Sequence, residues 1–194
     1  MPNWCDNVVT IEGSPKSIKK LHEAIQNEDD TLSLTNCYPV PDVFNDIHSG
    51  SRMINGVQVS VWRGEGDDAI PIGDNEFSQM LKLYGVSNAV DWQYRNWGTK
   101  WGDIETRIVE QSDVSLTVAF DTAWGEPFLL LDKICQDFKV SMTNKYWVEG
   151  WQEEHDEREE SSYPFSESQR KSIYNQNVKM MNDVRQLHIT IEEE

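Results

Sequence analysis

An α+β sandwich is predicted for this chain by three observations: four short apolar alternations of period two, two helical stripes of period 3.6, and their order, β–α–β–β–α–β. The first strand is 4–12 (WCDNVVTIE), in which Val9 and Ile11 share a face before Gly13 ends the run. A helix follows, with Ser14 suited to its N-cap, Pro15 to its first position, and Ile18, Leu21 and Ile25 recurring at i, i+3 and i+7.

Residues 27–73 break every period with acidic residues, prolines and glycines, and leave one alternating strand at 57–62 (VQVSVW). Asp74 is expected to cap a short helix carrying Phe77, Met80, Leu81 and Tyr84, with Gly85 closing it in the left-handed conformation. The stretch 27–95 therefore reads as an insertion. Beyond it, 104–110 (IETRIVE) and 114–121 (VSLTVAFD) are consecutive strands, the second alternating Val114, Leu116, Val118 and Phe120 against Ser115, Thr117 and Ala119. Gln111, Ser112 and Asp113 between them suit a hairpin loop.

The second helix, 125–138, sets Phe128, Leu131, Ile134, Cys135 and Phe138 along one stripe, with Pro127 near its start. A fourth strand at 140–148 (VSMTNKYWV) completes the ferredoxin-like split βαβ sandwich, a four-stranded antiparallel sheet with two helices on one face. The label is topological, since no iron–sulfur cysteine spacing is present. Residues 1–150 form this domain. Residues 151–194 add an acidic linker and a C-terminal helix, packed on the same domain or appended to it. Within them 153–160 (EEHDEREE) reads as a solvated or disordered charge run. Ser166 with Gln169 reads as a capping box opening a helix to about Arg185, and the closing LHITI alternates as an edge strand would.

At 194 residues the chain suits one core, and its 8 Trp, 6 Phe and 6 Tyr supply large buriable surfaces. Its 34 acidic against 17 basic residues give a formal charge of -17, a field that repels phosphate backbones and disfavours direct binding of DNA or RNA. The same field favours solubility, or occupation of the basic groove of a nucleic-acid-handling protein. Three cysteines, Cys5, Cys37 and Cys135, stand apart without a CxxC pair, which argues for a reducing compartment and against a disulfide framework or a zinc site. The N-terminus lacks a basic region followed by an apolar run, and no stretch approaches the length of a membrane span, so no membrane association is expected.

The densest unusual feature is aromatic. Trp92, Tyr94, Trp97 and Trp101 crowd the approach to 96–103 (NWGTKWGD), and Trp124 follows in FDTAWGEP. Tryptophan beside small polar residues and a cation could stack a flat ligand, which makes Trp97, Thr99, Lys100, Trp101, Asp103, Thr122 and Trp124 a candidate binding set. The competing reading takes these tryptophans as core staples, and it is favoured because buried aromatics outnumber ligand-binding ones. A second candidate surface is acidic: Glu153, Glu154, Asp156, Glu157, Glu159 and Glu160. Neither it nor Glu65, Asp67 and Asp68 has the ligand periodicity of a calcium loop, so no metal and no cofactor is expected. His22, His48, His155 and His188 stand alone, and phosphate-loop, dinucleotide, nucleophile-elbow and zincin motifs are all missing from the sequence. No residue qualifies as catalytic on sequence grounds.

The start MPNWCDNVVTIEG, the central NWGTKWGD, FDTAW before the second helix and YWVEG after the fourth strand together resemble the YubB-type ferredoxin-like domain family, uncharacterised proteins of bacteriophages and conjugative plasmids. The resemblance covers roughly residues 1–150 and implies the fold already reached, a mobile-element origin and the cytoplasm of a bacterial host. It supplies no catalytic role. Family members often read WDA or WSP after these tryptophans, whereas this chain has Trp101-Gly102-Asp103 and Trp124-Gly125-Glu126-Pro127. Two functions are then expected in order: a non-enzymatic accessory protein that binds and inhibits a host factor, in counter-defence, through an acidic surface, and, as the alternative, a nucleotide-binding or nucleotide-processing protein. In the second, Lys100 pairs a phosphate while Trp97 or Trp124 stacks a base.

Overall fold

The computed structural model describes residues 3–150, 158–173 and 175–176. In chain order the named elements are β1 (Trp4–Glu12), α1 (Pro15–Ile25), β2 (Ile47–Ile54), β3 (Val57–Arg63), β4 (Ile70–Pro71) and α2 (Asp74–Tyr84). They continue with α3 (Ala89–Trp97), β5 (Ile104–Gln111), β6 (Ser115–Ala123), α4 (Phe128–Phe138), β7 (Ser141–Val148) and β8 (Glu159–Tyr163).

The main sheet runs β5-β6-β1-β7-β8, every neighbouring pair antiparallel. Its first four strands stand in the split βαβ order, with β1 central because α4 carries the chain from β6 over to the far side of β1. The fold is therefore the ferredoxin-like sandwich that the periodicity predicts, with β8 added as a fifth strand. Alternation decides what each face meets. Val9 and Ile11 of β1, Leu116, Val118 and Phe120 of β6, and Met142 of β7 enter the core with Ile18, Leu21 and Ile25 of α1 and Leu130, Leu131 and Ile134 of α4. The set of opposite parity, including Asp6, Val8, Thr10, Thr117, Asp121 and Thr143, stays half-buried and outside that core.

α1 begins as expected, Ser14 Oγ accepting from the Ser17 N–H at 3.2 Å with Pro15 at the first position. α2 corrects one expectation: Gly73, not Asp74, is the N-cap, and Asp74 instead places its charge in the first turn, against the positive end of the helix dipole. Gly85 closes α2 at φ 73°, as its position requires.

The region 27–95 holds more regular structure than its composition suggests. β2, β3 and β4 make a second, three-stranded sheet, and Asn55-Gly56 turns its hairpin with both residues at positive φ (50° and 81°). β2 is illegible by alternation because its sequence, IHSGSRMI, is interrupted by a register shift between Ser49 and Arg52. α3 is short, and its buried face is formed by Trp92 and Trp97 instead of an aliphatic stripe. α4 starts at Phe128, three residues later than predicted, because Trp124 at φ 73° and the N-cap Pro127 lie outside helical geometry.

Of the acidic run, Glu159 and Glu160 are solvated as expected but ordered, since they belong to β8 and pair with β7 opposite Tyr146 and Lys145, while Glu153, Glu154, Asp156 and Glu157 lie outside the described residues. The capping box is present: Ser166 Oγ accepts from the Gln169 N–H at 3.3 Å and Gln169 Oε1 from the Ser166 N–H at 2.9 Å, opening a helical segment over 167–173. The expected extension to Arg185 and the LHITI strand lie outside the described residues beyond 176. Among the described residues no helix is long and apolar enough to cross a membrane.

Candidate functional site

The turn from β6 into α4 organises one end of the sheet. Thr122, fully buried on the core face, donates to the Gly125 carbonyl at 2.7 Å and accepts from Asn7 Nδ2 at 2.9 Å. That tight return forces Trp124 to φ 73°, turning its ring outward to 50% exposure, and brings Glu126 inward. Glu126 Oε2 accepts from Asn144 Nδ2 at 3.0 Å and from the Tyr163 hydroxyl at 2.7 Å, and Oε1 accepts from the Ser161 hydroxyl at 2.8 Å. Asn144 Nδ2 also donates to Asn7 Oδ1 at 3.0 Å, so β1, β6, β7 and β8 are tied through one carboxylate and two amides.

The tyrosines and the thiol here are kept neutral. Burial, and then the Glu126 charge, pushes the Tyr163 hydroxyl well above its ordinary range; burial and a hydrogen bond to Glu159 push Tyr146 the same way. Burial pushes the Cys5 thiol up to about 12, which removes it as a nucleophile near neutral pH. The cluster is an arrangement of neutral donors around one anion, suited to holding strands in place and not to proton transfer.

Of the aromatic candidates, the structure separates core from surface. Trp97 is 4% exposed, packs edge-on against Trp92 at 5.8 Å and donates its indole N–H to the Tyr38 carbonyl at 2.8 Å. Buried, and with its indole N–H spent on Tyr38, Trp97 sits as the core staple of the two roles weighed for it. Thr99 is buried and donates to the Ala123 carbonyl at 2.6 Å, fastening its loop to the end of β6. Asp103 accepts from the Leu34 N–H at 2.7 Å, the Thr35 N–H at 3.1 Å and the Ser33 hydroxyl at 3.0 Å, so it anchors the insertion to the start of β5. Thr122 belongs to the buried cluster. Lys100, Trp101 and Trp124 reach the surface.

These three lie beside residues that the sequence reading missed. Trp101 meets Trp4 at 6.0 Å between ring centroids, and Lys100 Nζ lies 5.0 Å above the Trp101 ring. Trp4 has the parity of the face that, among the described residues, lies outside the core cluster. One rung along, Asp6 stands opposite Asp121 of β6 on one side and Trp147 of β7 on the other. Arg158 Nη2 donates to Asp6 Oδ2 at 2.6 Å. The signal for this surface is present in WCDNVVTIE, where Trp4 and Asp6 have the parity opposite to Val9 and Ile11. The strand partners that complete it cannot be read from β1.

The ferredoxin-like assignment agrees with a family comparison: residues 96–182 match the model of the ferredoxin-like domain in Api92-like protein. Among solved structures, the chain is similar to a protein Api92 from Yersinia pseudotuberculosis at 14% identity, over 84% of this chain and 94% of that one, with a TM-score of 0.49. No curated protein matches.

Proposed function

We propose that this chain is a non-enzymatic accessory protein of a phage or plasmid that binds and inhibits a host protein, with a basic or nucleic-acid-handling partner favoured by its charge. The carrying observation is that one end of the sheet gathers tryptophan and carboxylate: Trp4 meets Trp101, the exposed Trp124 follows Ala123, which stands opposite Trp4, and Asp6 stands between Asp121 and Trp147. Tryptophan is enriched among residues that dominate protein–protein binding energy, and a formal charge of -17 steers association with a basic partner. The nucleotide alternative retains Lys100 above Trp101 in its favour, but Trp97, Thr99, Asp103 and Thr122 spend their polar groups within the protein.

Capture of a partner from bacterial lysate, repeated across salt concentrations, tests the binding reading. A specific partner that is lost when Trp101 and Trp124 are replaced by alanine, and that weakens steeply with salt, supports it. No retained partner at any salt overturns it. Saturable quenching of tryptophan fluorescence by one member of a mononucleotide, dinucleotide and cyclic-nucleotide panel would move the assignment to the alternative.

A further inference from the structure

We propose that Asp6 and Asp121, flanked by Trp4 and Trp147 on the face of the main sheet that, among the described residues, lies outside the core cluster, form a docking site for an arginine side chain presented by a basic segment of the protein partner. The inference rests on the binding reading above and names the chemistry of the contact.

Strand parity puts Trp4 and Asp6 on the face that contributes nothing to the core cluster, and register brings Asp121 and Trp147 to Asp6 from either side. Directly opposed residues in antiparallel strands have Cβ atoms about 5 Å apart, a spacing at which two like charges repel. Asp121 shows the repulsion: burial first, then Asp6, holds its carboxyl above the usual carboxylate range, with Arg107 opposing the shift and Glu105 adding to it. Among the described residues Asp121 has no ion pair within 4.0 Å. A cation between the two carboxylates would relieve this strain in the charge distribution.

The chain itself shows which cation fits. Arg158 already places a guanidinium on Asp6, using Oδ2 alone, while both side chains remain about 40% exposed (42% and 38%). A second guanidinium reaching Asp121 can use the planar two-pronged geometry that carboxylates favour and lie against an indole face, which an ammonium cannot do equally well. Lys100 above Trp101 shows that the adjoining tryptophans accept a cation.

The test titrates the full chain with a nine-residue arginine peptide, and with lysine and citrulline peptides of the same length, at about 0.15 M salt, following tryptophan fluorescence. The expected result is saturable binding of the arginine peptide about tenfold tighter than the lysine peptide, and none of citrulline. Asp121→Asn should weaken it about tenfold and Trp147→Leu severalfold, a tenfold change corresponding to ~1.4 kcal/mol. Glu110→Gln, the same charge change at the opposite end of the sheet, should alter it less than twofold. Circular dichroism confirms that each variant is folded. Equal binding of arginine and lysine peptides, or equal weakening by Asp121→Asn and Glu110→Gln, overturns the site and leaves only the general acidic field. A captured host partner that survives Asp121→Asn but is lost with Trp101→Ala sinks this inference while the binding reading stands.

Discussion

Asn144 donates to Glu126 across 3.0 Å, and through that bond β7, the fourth strand in the sheet order, is tied to the turn that opens α4. Glu126 simultaneously receives Ser161 and Tyr163 from β8, so one carboxylate secures the added fifth strand. Replacing Glu126 by alanine leaves three donors without their acceptor. A loss of about 2–3 kcal/mol is expected, since each stranded buried group costs on the order of 1–3 kcal/mol before water reaches it. Urea unfolding with an unchanged slope would register this as a shifted midpoint.

Asp132 fastens the segment after β8. It is 5% exposed and accepts from the Phe165 N–H at 2.6 Å and from Arg170 Nε at 2.8 Å. Asp132→Ala should release residues 158–173 from the α4 surface before the core melts, because the Phe165 N–H loses its acceptor and the half-exposed Arg170 guanidinium its partner. Faster amide exchange confined to that segment is the expected pattern. Uniform acceleration across β1 and β6 would contradict it.

Trp97 and Trp124 should respond in opposite ways. Trp97→Ala empties a filled core position and is expected to cost about 3–5 kcal/mol. Trp124→Gly removes an exposed ring from a backbone at φ 73°, where glycine is at ease, and should leave stability unchanged or raise it by up to about 1 kcal/mol. Thermal denaturation of the two variants separates these outcomes, and a strongly destabilised Trp124→Gly would show that the ring is structurally required.

Asp121 makes the native state favour protonation. Its folded affinity for a proton exceeds that of the unfolded chain, so its contribution is most favourable below the unfolded carboxylate value of 3.8 and is lost as pH rises through the higher folded value. Asp121→Asn should therefore be more stable than the parent at pH 7, by roughly 0.5 kcal/mol after allowance for solvent screening. The gain should vanish on acidification below that carboxylate value. Melting temperatures of both proteins across pH 3–7 check the sign.

Burial pushes all three thiols, Cys5, Cys37 and Cys135, up to about 12. Iodoacetamide at pH 8 should consequently modify the native chain very slowly and the urea-unfolded chain within minutes. Rapid labelling of Cys5 or Cys135 in the native protein would reveal an opening that their burial does not suggest.

Much of the sandwich was readable because its strands and helices carry aliphatic residues at the right spacing: Val9 and Ile11, Ile18 through Ile25, Leu116 through Phe120. Burying one face of such a run fixes its register, since a one-residue slip would reverse every side chain. β2 and α3 escaped the same reading. A bulge interrupts the first, and the second buries tryptophans that pattern equally well as a loop cluster.

Periodicity in the chain thus determined the sandwich and the caps at Ser14 and Ser166, and composition its formal charge of -17. Tertiary structure decided which tryptophans are core and which are surface, that Glu126 turns inward, and that Asp6, Asp121 and Trp147 meet on one face. The physical reason is that alternation within a strand records only its own two sides. Who stands opposite is set by the pairing of β1 with β6 and with β7, whose residues lie more than a hundred positions from it in sequence.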